Sequence, residues 1–180
     1  MYGEILIDDM KWAFDENDNP VPARVGGLAG FYYPHAIGAG DFRFEYARVN
    51  RFTYSHWQET TDYVYKGQPL GHKIGTDADS LILEYTYPVA ENKYIAVKYQ
   101  VERHGEGEIG DRWDVSQPPV QFLTGIVEKK RQVDVGCSFG YNKNISFTLV
   151  GWVKSIDNYQ HILNNKTTHA GVNIRVGLAF

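Results

Sequence analysis

The stretch Gly171-Val-Asn-Ile-Arg-Val-Gly-Leu-Ala-Phe180 decides the fold. Val172, Ile174, Val176, Leu178 and Phe180 share one face, and Asn173, Arg175, Gly177 and Ala179 share the other. A strict two-residue period is a β-strand with an apolar medium on one side and a polar medium on the other. The apolar medium is either the core of a β-sandwich or the hydrocarbon of a membrane. One strand does not separate these, so the decision rests on whether the pattern repeats and how its repeats are connected.

Outward from that stretch, the alternation recurs. Residues 145–155 set Ile145, Phe147, Leu149 and Val153 against Ser146, Thr148, Trp152 and Lys154. The segment ending at Tyr141 sets Val133, Val135, Cys137, Phe139 and Tyr141 against Gln132, Asp134, Gly136, Ser138 and Gly140. Residues 93–104, 80–88 and 41–49 repeat it, the last with Phe42, Phe44 and Tyr46 opposite Arg43, Glu45 and Ala47. Residues 24–33 are Gly-rich with weak phase, and residues 2–12 open with Glu4, Leu6 and Asp8 against Ile5 and Ile7. This pattern predicts about eight strands and no amphipathic helix.

The connections alternate in length: long at 13–23, 50–78, 105–119 and 156–168, short at 34–40, 88–92 and 141–144. Outer-membrane barrels sort their loops this way, with short periplasmic turns and long outer loops. A soluble sandwich has no physical reason to do so. The reading is therefore all-β: an antiparallel up-and-down transmembrane β-barrel in a bacterial outer membrane, in contact with its lipid. Phe42, Phe44, Leu83, Tyr85, Val97, Tyr99, Phe139, Phe147, Ile174 and Leu178 are expected to face outward, exposed. The final aromatic, Phe180, resembles the C-terminal signal of such barrels, which implies the barrel-assembly machinery as a partner.

The totals fit. With 180 residues the chain is one domain's worth, and a net charge of −4 argues against nucleic acid as a partner. Thirteen Tyr and four Trp suit aromatic girdles or a sugar-binding surface. Cys137 is the single cysteine, so no disulfide or thiolate cluster forms within the chain. No apolar run reaches the length of a transmembrane helix. Met1 leads straight into a strand pattern without a signal segment, which favours a chain that is the tail of something longer over one whose leader has been removed.

The face opposite the apolar one carries Arg43, Glu45, Glu84, Lys98, Gln100, Glu102, Asp134, Lys154 and Arg175. In a lumen such nearly balanced charges either pair with one another or line a path for a ligand or ion. The longest connection, 50–78, concentrates Tyr54, Trp57, Tyr63 and Tyr65 among His56, Gln58, Asp62, Gln68 and His72. Flat aromatic faces beside hydrogen-bonding groups suit sugar rings; the alternative is an ordered loop that buries its own aromatics over the barrel mouth.

Within this connection, Phe52-Thr-Tyr-Ser-His-Trp57, Gly67-Gln-Pro-Leu-Gly-His72 and Gly75-Thr-Asp-Ala78, preceded by Glu45-Tyr-Ala-Arg48, resemble the Wzi family of outer-membrane capsule-assembly proteins. The resemblance covers the C-terminal part of a larger barrel, whose N-terminal strands have no counterpart here. It implies that residues 1–180 form a single outer-membrane β-barrel domain, part of such a barrel. It further implies a non-enzymatic, lectin-like role with capsular polysaccharide as the partner, for which Tyr54, His56, Trp57, Tyr63, Tyr65 and His72 are the candidate contacts. No cofactor, metal site or catalytic residue is expected.

Two other functions compete: a general outer-membrane pore selecting solutes through its lumen charges, and a barrel hydrolase using Ser55 and His56. Adjacent residues of an extended segment point apart, which disfavours that pair. Asp15, Asn17 and Asn19 have the spacing of a calcium loop, but Pro20 stands where the turn needs Gly. Glu106, Glu108, Asp111 and Asp114 read as surface charge rather than as a cation site.

Overall fold

The structure, a computed structural model, describes residues 1–9, 22–56, 62–66, 68–114, 121–141 and 145–178. Eight long strands form one sheet: β1 (Tyr2–Asp9), β2 (Arg24–Ile37), β3 (Gly40–Val49), β6 (Ala78–Ala90), β7 (Lys93–His104), β8 (Glu128–Gly140), β9 (Ile145–Asp157) and β10 (Lys166–Leu178). Each pairs antiparallel with its neighbours in chain order. Two short strands, β4 (Val64–Tyr65) and β5 (Gln68–Pro69), make a separate ribbon inside the long connection. The expected up-and-down meander is therefore present. Among the described residues β1 and β10 do not pair, so the sheet is open at both edges.

The strands run further than side-chain polarity suggests. β2 and β3 leave only Gly38 and Ala39 between them, and β6 and β7 leave only Glu91 and Asn92. Pro34 lies inside β2, where the register shifts between Tyr33 and Ile37; a bulge tolerates a residue that cannot donate to the ladder. β10 already begins at Lys166, because Lys166 to His169 continue the ladder opposite Asp157 to Lys154. Polar side chains do not end a strand whose backbone groups still find partners. The strand that ends near Tyr141 opens at Glu128, after 121–127.

Register separates two faces. On the outward one, Val97, Phe139, Ile174 and Leu178 are 43%, 43%, 75% and 63% exposed. Phe42, Phe44, Leu83, Tyr85, Tyr99 and Phe147 are half-buried against their strand neighbours, and none enters a core. Cross-strand partners stack there, Phe31 on Phe44 at 5.3 Å and Phe139 on Phe147 at 5.1 Å. In a soluble sandwich these residues would be the interior. Instead, the buried apolar residues Ala47, Val49, Ala78 and Ile82 belong to the opposite, inner face.

Val135 sits mid-strand on the outward face between Val97 and Gly151. On the expectation that this face meets lipid, Val135→Arg should cost about 2–4 kcal/mol and reduce heat-modifiable, membrane-inserted protein. Gln132→Arg on the inner face should be tolerated. Equal tolerance of both would mean that the outward face does not meet lipid.

Candidate functional site

The described residues of the 50–77 connection fold onto the inner face. Asn50 starts it: its N–H donates to the Val25 carbonyl at 3.0 Å, and its own carbonyl accepts from the Thr53 and Thr76 hydroxyls at 2.7 and 2.9 Å. Both ends of the connection are thus fixed to one carbonyl. Between them Phe52 and Tyr54 are each 1% exposed. Tyr54 packs with Ile74 against Ala47, Val49 and Ala78, and Leu6, Leu28 and Ile109 close the cluster.

Tyr54 is the pillar from which the rest hangs. The Tyr63 amide donates to the Tyr54 carbonyl at 3.1 Å, the two rings stack at 6.4 Å, and the Leu70 amide returns to the Tyr63 carbonyl at 3.0 Å. That pairing carries the β4–β5 ribbon, with Lys66 in the left-handed region at its turn. The Tyr54 hydroxyl accepts from the His72 amide at 2.9 Å. Gly71 is required here, because a Cβ at that position would overlap the Tyr54 hydroxyl. Burial pushes the Tyr54 phenol pKa up and the His72 imidazole pKa down. His72 Nδ1 accepts from the Ile74 amide at 3.3 Å, which needs the neutral ring.

A second connection, 105–127, is tied to the first through Asp77, which is fully buried. Its carboxylate accepts four hydrogen bonds: from the Gly107, Leu123 and Thr124 amides at 3.1, 3.0 and 3.0 Å and from the Thr124 hydroxyl at 2.5 Å. Its carbonyl accepts from the Gly105 amide at 2.8 Å, and the same Asp77 carboxylate occupies the space a Cβ at Gly105 would need. Arg51 adds a two-pronged pair to Asp111 at 3.0 and 2.7 Å. Arg112 reaches Asp62 at 3.1 Å, and the Arg48 guanidinium lies 3.7 Å over the Phe122 ring.

A cavity of about 660 Å³ remains between the inner face and the folded connection. Glu4, Leu6 and Leu28 form its floor, while Tyr63, His72 and Lys73 form its polar and aromatic wall. Of the candidate contacts, Tyr54, Tyr63 and His72 line this cavity together. Tyr63 and Tyr65 are 45% and 63% exposed. His56 stands apart, 3.3 Å from Asp8 of β1, with its amide donating to Asp62 at 2.7 Å. Trp57 and Gly67 lie outside the described residues, as do Asp15, Asn17 and Asn19. Sequence reasoning missed the Asp77 node; the glycines at 105 and 107 were its visible trace.

The inner charges lie mostly among partners. Arg43 meets Glu45 at 2.8 Å and Glu84 at 3.5 Å, and Glu45 also accepts from the Tyr2 hydroxyl at 2.7 Å. Lys98 lies 3.9 Å from Asp134, and Glu102 accepts from Gln100 at 2.6 Å. Lys154 extends over the Trp152 ring at 5.9 Å. Arg175 is exposed on β10.

A family model described as "Capsule assembly protein Wzi" matches residues 2–170. No curated protein and no solved structure matches the chain.

Asp77→Ala should leave four donors without their acceptor and loosen both connections, at a cost on the order of 3 kcal/mol. Faster amide exchange at Gly107, Leu123 and Thr124, and a smaller effect for Asp77→Asn, would bear this out; unchanged protection would contradict it.

The His72 shift sets a pH dependence. A histidine with a depressed folded pKa takes up protons first in the unfolded state, so stability falls as pH drops below about 6.5. Amide protection factors across 70–74, corrected for the base-catalysed intrinsic rate, should fall between pH 7.5 and 5.5, and His72→Gln should flatten that response.

Proposed function

The chain belongs to the Wzi family of capsule assembly proteins, with a role in capsule assembly, and we propose that it fulfils this role by binding capsular polysaccharide at the bacterial outer membrane. In this reading residues 1–180 are one β-barrel domain, contributing eight strands to a larger barrel whose further strands complete the edges at β1 and β10. Unpaired strand edges are not tolerated in hydrocarbon, which supports completion by further strands. The outward apolar face contacts outer-membrane lipid, and β10 is the strand offered to the barrel-assembly machinery.

The observation that carries the binding reading is the partition of the loop tyrosines. Tyr54 is buried and holds the scaffold, while Tyr63 and Tyr65 present exposed rings from a ribbon attached to it. Rings fixed by a buried neighbour bind without a large ordering cost. Tyr63, Tyr65 and Trp57 therefore act as stacking platforms, with His72 and Lys73 supplying polar contacts from the cavity wall. Tyr54 and His56 act by positioning.

Binding without catalysis is favoured over the hydrolase. The Ser55 hydroxyl accepts from the Gly110 amide at 3.0 Å in a buried position, whereas His56 faces Asp8. The two side chains have separate partners and do not form a nucleophile–base couple. Ion pairing among Arg43, Glu45, Glu84, Lys98 and Asp134, and the connection covering the inner face, weigh against an open selective pore.

In the full-length protein, Tyr63→Ala and Tyr65→Ala should each weaken binding of capsule polysaccharide about tenfold, at roughly 1–2 kcal/mol per stacked ring. Heat-modifiable assembly should stay normal. Trp57→Ala tests the third platform. Unchanged capsule attachment in a normally assembled triple variant would end the binding reading.

A further inference from the structure

The outward face is not uniformly apolar. At the end of the strands nearest the long connections, one rung of the sheet is charged across six strands: Arg48, Asp79, Arg103, Lys129, Asp157 and Lys166 are successive register partners. Arg131 lies two residues further down β8 on the same face. Below it, toward the short turns, the outward positions become Val133, Val135, Cys137 and Phe139 on β8 and Val101, Tyr99, Val97 and Ile95 on β7. Ten residues separate Lys93 from Arg103 along β7. At about 3.3 Å per residue and a tilt near 40°, that rise is about 25 Å, the height of a barrel's apolar band.

The signs are not presented equally. The Asp79 side chain is 5% exposed and the Asp157 side chain 22%, whereas Arg103, Arg131 and Lys166 are 43%, 42% and 72% exposed. Asp79 holds Arg103 through Nε at 2.9 Å and through its NH2 group, and also accepts from the Tyr46 hydroxyl at 3.1 Å. Asp157 holds Arg131 at 2.9 Å and Lys166 at 3.7 Å. Among the described residues no carboxylate pairs with Lys129, which stands between Arg103 and Asp157 in the rung. Recessed acids thus aim the cations, and the surface left to the surroundings is positive on a chain whose net charge is −4.

We propose that Arg103, Lys129 and Arg131 bind the phosphate groups of the phosphorylated glycolipid in the outer leaflet, with its acyl chains lying along the apolar band beneath. This rests on the reading that the chain is an outer-membrane barrel. Two guanidinium groups flanking an ammonium group suit phosphate oxygens, and an arginine held on one edge by a carboxylate keeps N–H donors on the other. The continuity of the cations with the apolar band selects a lipid over a soluble anion. The site is separate from the loop platforms, because it lies on the outward face and they lie on the inner one.

The test uses the full-length protein in detergent, titrated with bis-phosphorylated lipid A, with its dephosphorylated form and with inorganic phosphate. Lys129→Gln with Arg131→Gln should weaken binding of the phosphorylated lipid about tenfold or more, and Lys129→Arg should bind like the wild type. The dephosphorylated lipid should bind wild type and double variant alike, and weakly. The proposal is overturned if the double variant binds the phosphorylated lipid as tightly as wild type. It is also overturned if dephosphorylation makes no difference to the wild type, or if inorganic phosphate at equal concentration displaces the lipid. The single variants Lys129→Gln and Arg131→Gln give the same readout if the double variant assembles poorly, since Lys166 still neutralises Asp157. Capsule retention should be unchanged in all of them. Tyr63→Ala with Tyr65→Ala should bind the phosphorylated lipid like the wild type, so unchanged capsule retention in that variant would count against the sugar reading and not against this one.

Discussion

A buried carboxylate with four donors, Asp77, is the contact on which the end of this molecule that carries the long connections depends. Loops rarely bury their backbone, because each hidden N–H needs an acceptor. Two long connections meet over the inner face, and the amides of Gly107, Leu123 and Thr124 lose water there together. One side chain at the start of β6 satisfies them all, and Gly105 and Gly107 bring the backbone close enough for it to do so. The position of Asp77 at the strand entry makes the rigid sheet the reference for both loops.

The sheet itself is governed by a simpler constraint: every backbone group must pair along the strands while the two faces meet different media. Alternation satisfies the second requirement and uninterrupted ladders satisfy the first. This is why β10 extends up to Lys166 and β2 down to Ile37, beyond the apolar segments. It also explains the distribution of charge. On the inner face acids and bases neutralise one another between neighbouring strands, as in Arg43 with Glu45 and Glu84. On the outward face they gather in the rung above the apolar side chains; under the proposed membrane setting, a charge there escapes the penalty of mid-bilayer burial.

Strand number, order and facing were legible in the sequence because a two-residue period is a local property. Strand ends were less so: the polar run Lys166 to His169 looks like loop, and only its pairing with β9 shows otherwise. The long connection was legible as a unit but not in its parts. Its aromatics look equivalent along the chain, and burial divides them into the pillar Tyr54 and the exposed Tyr63 and Tyr65. The segments resembling the capsule-assembly family turn out to be largely architectural. Gly71 and His72 close on Tyr54, Thr76 caps Asn50, Asp77 gathers the second loop, and Ala78 is core. Such roles depend on partners 18 to 47 residues away, from Tyr54 with His72 to Asp77 with Thr124, which no spacing rule reveals.

That architecture bears directly on how a polymer could be held. A sugar stacked on one tyrosine is bound weakly, and a flexible loop would weaken it further by the entropy of ordering. Here the ordering is done during folding: Tyr63 is stacked on Tyr54, and Tyr65 lies in a ribbon closed at Lys66. A capsular polysaccharide presents the same unit many times, so a released ring is replaced by its neighbour at high effective concentration. Under the proposed function, modest contacts on a rigid loop suffice for retention while each unit still exchanges. A deep, tight site would instead arrest the polymer in place. The open disposition of Tyr63 and Tyr65 beside a cavity of about 660 Å³ suits the first arrangement.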